Sequence, residues 1–251
     1  MTILIHNNYK FKETAIVELV SNFFTDGDWI VKGTRNSIKS NFLENEKVNI
    51  KFFQKPGFFK SIIYSFFRAT KAKRSFDYAN YLIENKINTP FPIAYIVEKN
   101  SFGLIGNSYY ISQQIEYDFT IRELIHNPLF INRTHILEQF ATFTFKMHEA
   151  KINFLDHSPG NTLIVKKADF NYDFYLIDLN RMKFENLSIS NRMDNFKKMW
   201  LSKTMVKIIA NRYAELSNEN TTDLQNILLL KTKQFKYKTY RKKFFKKKIG
   251  L

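Results

Sequence analysis

Two short apolar runs with polar side chains at their ends stand out in the second half of the chain. The first run, Thr162 to Val165, follows a loop that carries Asp156 and Asn161. The second run, Phe174 to Ile177, leads directly into Asp178. Two adjacent runs of this kind, bounded by turn residues, predict a β-hairpin. Because a hairpin returns to its starting point, the third polar residue is expected beside the loop that holds the other two.

A loop carboxylate, a loop carboxamide and a hairpin carboxylate form a set rich in oxygen. Magnesium prefers oxygen ligands, and phosphoryl transfer needs such ligands as well as a separate carboxylate that orients the accepting hydroxyl. The spacing therefore favours a kinase-like phosphotransferase. The alternative is an ordinary turn between two strands, since the Ser-Pro-Gly-Asn sequence at 158–161 is typical turn chemistry, with carboxylates that are only solvated.

The composition narrows the class of protein. A chain of 251 residues with 44% hydrophobic residues can bury a sizeable core in one or two domains. The absence of cysteine excludes disulfides and thiolate metal sites. There is no N-terminal signal pattern and no apolar run of about 18–20 residues, the length that spans a bilayer, so we expect a cytoplasmic protein without a membrane span.

Positive charge is concentrated in two segments. The net charge is +16, and residues 231–251 hold ten Lys or Arg and no Asp or Glu. The periodicity predicts a helix over 58–74, with aromatic residues followed by basic ones, that continues through 75–86. The aromatic-basic part could lie on an anionic membrane surface or pack into the core with a basic end. A positive field favours nucleic acid, anionic lipid or an anionic substrate, and does not choose among them.

The first half of the chain predicts an antiparallel sheet. Short runs separated by turn residues give strands at 29–32, 37–43, 48–53, 91–97 and 108–113. Lys51 lies in the third of these, on the face opposite Ile50 and Phe52. Kinase-like enzymes place a lysine at this point to hold nucleotide phosphates. The alternative is a solvent-facing lysine on an edge strand.

Further helices and one turn complete the pattern. The remaining helices are predicted at 13–24, 120–126, 133–150 and 222–230, and residues 189–213 are predicted to form one or two helices. His148, on the helix over 133–150, is expected to be packed or solvated rather than catalytic. Gly33, Arg35 and Asn36 occupy the turn between the first two strands, where backbone amides and side-chain donors could cover phosphates. With a single glycine this motif is weak.

These segments resemble the bacterial lipopolysaccharide core kinases of the Kdo/WaaP (InaA-like) group, within the protein-kinase-like superfamily. The resemblance covers residues 29–215 in the correct order. It rests on G-T-R-N-S-I-K (33–39), N-I-K-F-F (49–53), R-S-F-D-Y-A (74–79), I-N-T-P-F-P-I-A-Y (87–95), M-H-E-A (147–150), L-D-H-S-P-G-N (155–161) and L-I-D-L-N-R (176–181). It implies a two-lobed α+β fold, with a small antiparallel-sheet N-lobe over 1–113, a mainly helical C-lobe over 114–230 and a basic tail over 231–251.

The resemblance also implies roles for individual residues around ATP and Mg²⁺. Asp156 would be the base that orients a sugar hydroxyl, Asn161 and Asp178 would hold the metal, and Lys51 would hold the phosphates under the turn of Gly33, Arg35 and Asn36. The helix acid that pairs with the lysine would be Asp77. An alignment on the Pro90 segment instead places Ser75 at that position, and Glu84 is a further alternative.

The implied activity is phosphorylation of a Kdo or heptose hydroxyl of the lipopolysaccharide inner core. The enzyme would be peripheral on the inner face of the inner membrane. Its acceptor would be the lipopolysaccharide core or a lipid A precursor, and the basic segments would meet an anionic membrane surface. We do not expect nucleic acid as a partner.

Two other classes of protein fit the sequence. One is a kinase-like protein that acts on another small molecule or on protein. The segment after Asp178 is short and lacks Asp-Phe-Gly and Ala-Pro-Glu, which argues against a protein substrate. The other is a catalytically inactive module that binds a membrane or nucleic acid through its aromatic and basic tail.

Overall fold

The computed structural model describes residues 1–248, and the chain divides into two compact units. The first unit, Met1–Glu116, is built around a sheet, and the second, which begins at Tyr117, is mainly helical. The predicted α+β class is therefore confirmed. The last three residues of the predicted basic tail, 249–251, lie outside the described residues.

A six-stranded antiparallel sheet forms the centre of the first unit. Its strands in chain order are β1 (Thr2–Ile5), β2 (Asp28–Val31), β3 (Asn36–Leu43), β4 (Glu46–Phe53), β5 (Pro92–Lys99) and β6 (Ile105–Gln113). They are arranged in the order β1-β5-β6-β4-β3-β2. All five predicted strands are confirmed. The sequence missed β1, because four residues are too few to show an alternating pattern; this strand pairs with β5 from Thr2 to Ile5.

Three helices accompany this sheet: α1 (Glu13–Ser21), α2 (Phe58–Phe66) and α3 (Lys71–Glu84). Ile16 of α1 and Phe23 just beyond it are buried in a core shared with Ile50 and Ile96 of the sheet. The prediction of one helix over 58–86 was wrong. The chain leaves the helix at 67–70, because the Thr70 side chain accepts a hydrogen bond from the Lys73 amide at 3.2 Å and starts a new helix.

Over residues 117–248, the second unit contains five short strands and five α-helices. The strands are β7 (Phe119–Thr120), β8 (Ile152–Phe154), β9 (Thr162–Lys166), β10 (Tyr172–Leu176) and β11 (Met182–Phe184). The helices are α4 (Ile121–His126), α5 (Arg133–Glu149), α6 (Ile189–Asn195), α7 (Lys203–Ser217) and α8 (Thr221–Lys248). The predicted segment over 189–213 is thus two helices, α6 and α7, as one of its two interpretations allowed.

The core of the second unit lies mainly between α5 and α7. Leu137 and Phe140 of α5 pack with Ile209 and Tyr213 of α7, and all four side chains are fully buried. The spacing of these residues places them on one face of each helix, and the two faces pack against each other.

Helix α8 continues through the basic segment rather than stopping at the predicted residue 230. Its first turns are buried at Leu224 and Leu228. Farther along, Trp200 contacts the rings of Phe235 and Tyr240, with centroid distances of 5.9 and 5.7 Å. Among the described residues, no helix combines the length and apolar character that crossing a membrane requires.

Candidate active site

The loop between β8 and β9 holds Asp156 and Asn161 in one closed turn. The Asn161 side-chain amide donates to the Asp156 backbone carbonyl at 2.9 Å, and its backbone amide donates to the Ser158 carbonyl, also at 2.9 Å. Because the Asn161 nitrogen is used in this way, its side-chain carbonyl oxygen is the atom suited to bind a cation. The turn therefore fixes a carboxamide oxygen close to a carboxylate in the chain.

The β9–β10 hairpin carries Asp178 back to this loop, as the sequence predicted. The register pairs Thr162 with Leu176, so the residue before β9 and the residue after β10 lie opposite each other. There the Ile177 amide donates to the Asn161 carbonyl at 3.1 Å. The next residue, Asp178, has a φ of 59° in the left-handed region, and its Oδ1 accepts a hydrogen bond from the Asn180 side chain at 2.7 Å.

Two basic side chains that sequence reasoning missed contact Asp156. Lys198 Nζ lies 2.8 Å from Asp156 Oδ1 and also donates to the Leu155 carbonyl at 2.7 Å. Arg181 Nη1 lies 3.9 Å from Asp156 Oδ2. The lysine comes from a separate segment 42 residues farther along the chain, so local spacing gave no signal for it. The arginine lies five residues after the end of β10, and the sequence pattern gave it no role.

The donor set of this loop and hairpin suits magnesium. Within the described part of the chain, no cluster of three or more His, Cys, Asp or Glu side chains could hold a metal by itself. Magnesium in kinases is usually held by one or two protein oxygens together with substrate phosphates and water. The Asn161 carboxamide and the Asp178 carboxylate meet that requirement, and their role as ligands stays a prediction.

In the first unit, Lys51 lies on a central strand. β4 is flanked by β3 and β6, and Lys51 is opposite Ile38 on one side and Tyr110 on the other. The alternative of an edge-strand lysine is therefore wrong. Ile50 and Phe52 point to the buried core as predicted, while Lys51 is half-buried on the other face, with its Nζ 5.6 Å from the centre of the Phe53 ring.

The turn between β2 and β3 is fixed by its own backbone. A Cβ atom at Gly33 would lie 2.5 Å from the Asn36 carbonyl oxygen, so only glycine fits there. The Gln54 amide donates to the Arg35 carbonyl at 3.1 Å. The Asn36 side-chain oxygen accepts from Lys71 Nζ at 3.3 Å, which connects this turn to α3. Whether these residues cover a phosphate stays a prediction.

Asp77 lies on α3 and pairs with a lysine of the same helix. Lys73 Nζ is 3.0 Å from the Asp77 carboxylate. Burial opposes the charged form of Lys73, but the carboxylate outweighs it and raises the pKa of the lysine. Ser75, the alternative position, is buried, and Glu84 is exposed. The identity of the acid that pairs with Lys51 stays a prediction.

The sequence of this chain matches one known protein family over more than half of its length. The model of the Lipopolysaccharide kinase (Kdo/WaaP) family matches residues 53–226. The chain belongs to this family. It is therefore a phosphotransferase of the lipopolysaccharide kinase class, as the sequence resemblance implied. The matched range includes Asp77, Asp156, Asn161 and Asp178, and it begins just after Lys51.

One solved structure shows the same fold. The structure described as WaaP in complex with acyl carrier protein aligns over 94% of this chain and 99% of that chain, with a TM-score of 0.65 and 12% identity. This likeness confirms the protein-kinase-like fold.

Two other kinase structures also align, each with a TM-score of 0.47. A MAP kinase, LmaMPK10 from Leishmania major, aligns at 16% identity over 86% of this chain and 65% of its own. The Rio2 kinase–ADP/Mg²⁺–phosphoaspartate complex from Chaetomium thermophilum aligns at 12% identity over 90% and 68%. No curated protein matches the chain in sequence.

Two buried histidines lie in the second unit of this Kdo/WaaP family member. His157 follows Asp156 directly and its Nδ1 hydrogen-bonds with the Asn195 side chain at 2.8 Å, while His148 Nδ1 hydrogen-bonds with the Tyr213 hydroxyl at 2.8 Å. Burial lowers the pKa of His157 to about 4, and burial together with its histidine neighbour lowers the pKa of His148 to about 3. Both rings are therefore neutral and structural, as expected for His148; the sequence gave no signal for His157.

These histidines should make the protein less stable in acid. In the unfolded chain their pKa is about 6.5, so below that pH the unfolded state binds more protons than the folded state. The free energy of unfolding should be at its full value above about pH 6.5 and should fall by on the order of 2 kcal/mol per histidine at about pH 5. Urea titrations above about pH 6.5 and at about pH 5 measure this difference in the free energy of unfolding.

Two variants test the origin of the effect. The pH dependence of the free energy of unfolding should be smaller in His157→Gln. In His135→Gln, at a half-exposed position, it should be unchanged. An equal pH dependence in all three proteins would contradict this interpretation.

Proposed function

We propose that this member of the family is an ATP-dependent kinase that phosphorylates a Kdo or heptose hydroxyl of the lipopolysaccharide inner core. The observation that carries the proposal is the assembly of Asp156, Asn161 and Asp178 by one loop and one hairpin, in a chain of the lipopolysaccharide kinase family. The reaction would take place at the cytoplasmic face of the inner membrane, where the protein would be peripheral.

Each site residue has a distinct role in this proposal. Magnesium, when bound, would neutralise charge on the ATP phosphates, and Asn161 and Asp178 would hold it. Asp156 would accept a hydrogen bond from the acceptor hydroxyl and orient it for attack. Lys51 would hold the phosphates, with Asp77 as its acidic partner. The turn of Gly33, Arg35 and Asn36 would cover these phosphates.

Lys198 gives the proposed base a fixed position. Its Nζ contacts both the Asp156 carboxylate and the Leu155 carbonyl, so it ties the carboxylate to the backbone of its own loop. An ammonium group at this place also attracts a phosphate or carboxylate on an acceptor sugar. We therefore propose that Lys198 is a positioning residue for the base and the acceptor.

Replacement of Lys198 should lower kcat without unfolding the protein. We expect Lys198→Ala to reduce kcat by at least about tenfold, which is about 1.4 kcal/mol in the barrier, with nucleotide affinity unchanged. Lys198→Arg should recover part of the loss. The matched control is Lys197→Ala, since the neighbouring lysine pairs with Asp194 instead. Steady-state kinetics of the three variants provide the measurement, and equal losses in Lys197→Ala and Lys198→Ala would contradict the assignment.

Basic segments would place the enzyme against its acceptor. No acidic residue occurs from Lys47 to Phe76, and the described part of the tail, 231–248, is helical and strongly basic. A lipid leaflet with anionic headgroups, or an acceptor sugar that carries phosphate or carboxylate groups, would be attracted by this charge. The charge pattern alone would also allow nucleic acid. Phe235 of the tail is half-buried against Trp200, with a centroid distance of 5.9 Å, and is less available for stacking on bases.

A panel of acceptors tests the proposal. Purified protein is incubated with ATP labelled in the γ-phosphate and with rough lipopolysaccharide, an aminoglycoside or a basic protein, each with and without Mg²⁺. We expect label to enter the lipopolysaccharide only, and only with Mg²⁺. Labelling of the aminoglycoside or the protein instead would favour another kinase class, and no labelling of any acceptor would favour an inactive binding module.

A further inference from the structure

Helix α2 exposes its large apolar side chains. Phe59, Phe66 and Phe67 are 81%, 71% and 82% exposed, and Phe58 and Ile63 are also exposed. We call these five side chains, at 58, 59, 63, 66 and 67, the phenylalanine face. Isolated exposed apolar residues are common, whereas a contiguous group on one short helix marks an interaction surface. The core-packing alternative for this helix was therefore wrong.

The opposite side of α2 is attached to the sheet through hydroxyl groups. Ser61 is buried and its Oγ donates to the Ile105 carbonyl at 2.8 Å, while the Ile105 amide donates to Ser65 Oγ at 3.0 Å. The two serines are four residues apart and so lie on the same side of the helix. The polar side of α2 therefore faces the protein, which is the reverse of a helix that packs into a core.

The hairpin between β5 and β6, which is hydrogen-bonded to this helix through Ile105, carries one more exposed ring. Phe102 is 86% exposed. Its turn is held by the Asn100 side-chain oxygen, which accepts from the amides of Phe102 and Leu104 at 3.0 and 2.9 Å. Ile105, three residues after Phe102 in this hairpin, is hydrogen-bonded to α2, so we consider this ring together with the phenylalanine face.

The chain segment that carries the phenylalanine face has charged side chains of one sign. Lys60 and Arg68 are exposed on and next to α2, and Lys71 and Lys73 follow at the start of α3. No Asp or Glu occurs in the chain between Glu46 and Asp77. Exposed rings next to lysine and arginine are the composition of helices that lie in the interface of an anionic bilayer. Positive charge next to exposed rings matches the anionic headgroups of such a bilayer.

We propose that α2 and Phe102 form an interfacial membrane anchor. The rings would insert among the acyl chains of a bilayer with anionic headgroups, and the surrounding basic side chains would contact those headgroups. The functional role of the anchor rests on the proposed function, in which the acceptor is linked to a lipid. An enzyme bound to the membrane surface finds such an acceptor by diffusion along that surface. The binding itself requires no kinase activity and can be tested separately.

Vesicle sedimentation tests the anchor directly. The full chain is mixed with vesicles of phosphatidylethanolamine and phosphatidylglycerol, and with vesicles of phosphatidylcholine alone. We expect binding to the anionic vesicles, and a loss of at least about tenfold in partition coefficient for the triple variant Phe59→Ser, Phe66→Ser, Phe67→Ser. These positions are exposed, so the variant should fold, which circular dichroism checks.

A matched control removes the same number of exposed apolar side chains elsewhere. Phe11, Leu129 and Phe170 are also strongly exposed, and their triple replacement by serine should leave vesicle binding unchanged. Equal loss in both triple variants, or no binding of the original protein to anionic vesicles, would overturn the proposal. So would a dimer in solution that the α2 variant converts to monomer, because a second copy would then occupy the face.

Activity on a soluble acceptor separates this inference from the proposed function. With a deacylated core saccharide as acceptor, the α2 variant should retain the turnover of the original protein, because the anchor has no part in the chemistry. With acceptor embedded in vesicles, its rate should fall together with binding. Vesicle binding that depends on α2 in a protein without kinase activity would support the anchor and refute the proposed function.

Discussion

Asp178→Ala should abolish the magnesium-dependent binding of ATP. Asp178 contributes the carboxylate that the β9–β10 hairpin delivers next to Asn161, and magnesium held by few protein oxygens depends strongly on each of them. We expect the affinity for Mg-ATP to fall by at least about a hundredfold, which is about 2.8 kcal/mol. Calorimetry with and without magnesium measures the change.

Two further variants separate loss of a ligand from loss of structure. The left-handed backbone at Asp178 is strained for alanine but accessible to asparagine, so Asp178→Asn removes the charge with little strain. It should lose most of the affinity as well. Asp173, on the same hairpin, pairs with Lys167 at 3.2 Å, and Asp173→Ala should bind Mg-ATP normally. Unchanged affinity in both Asp178 variants would remove this residue from the metal site.

Asp156→Ala should abolish phosphoryl transfer while ATP still binds. In the proposed mechanism Asp156 acts on the acceptor hydroxyl and not on the nucleotide. We expect kcat to fall by at least about a thousandfold, which is about 4 kcal/mol in the barrier. The Asn161 side chain bonds to the backbone of residue 156, not to its carboxylate, so the loop should keep its shape.

The control for this variant is an exposed acid near the same loop. Glu185 hydrogen-bonds with the Asn153 side chain at 3.1 Å, and Glu185→Ala should leave transfer unchanged. Single-turnover measurements at saturating ATP report the chemical step, and calorimetry reports binding. Turnover retained in Asp156→Ala would assign the base to another residue, and loss of nucleotide affinity would assign Asp156 to the metal instead.

The features that could be predicted from sequence are those encoded by local patterns. The hairpin from Thr162 to Leu176 follows from two apolar runs and turn residues between them, and the strand of Lys51 follows from alternation. The predicted hairpin is present in the structure. It therefore brings the end of β10 back to Asn161, where the Ile177 amide donates to the Asn161 carbonyl. The break between α2 and α3 was missed because the apolar spacing continues across it, and only the cap at Thr70 marks it.

Long-range contacts and the direction of a helix face could not be predicted in this way. Lys198 lies far from Asp156 in sequence, and no local pattern pairs them. Helical periodicity shows that α2 has two faces but not which of them is buried. The two hydroxyl contacts of Ser61 and Ser65 decide that, and they depend on the position of Ile105 in a different part of the chain.

The transfer of phosphate to a lipopolysaccharide core sugar can be measured most directly by mass spectrometry. Rough lipopolysaccharide is incubated with the protein, ATP and Mg²⁺, and its inner-core oligosaccharide is released and fragmented. We expect one added phosphoryl group on a Kdo or heptose residue, present with the original protein and absent with Asp156→Ala. An unmodified inner core under conditions where Mg-ATP binding is demonstrated, or a phosphoryl group that appears equally with the variant, would contradict the proposed function.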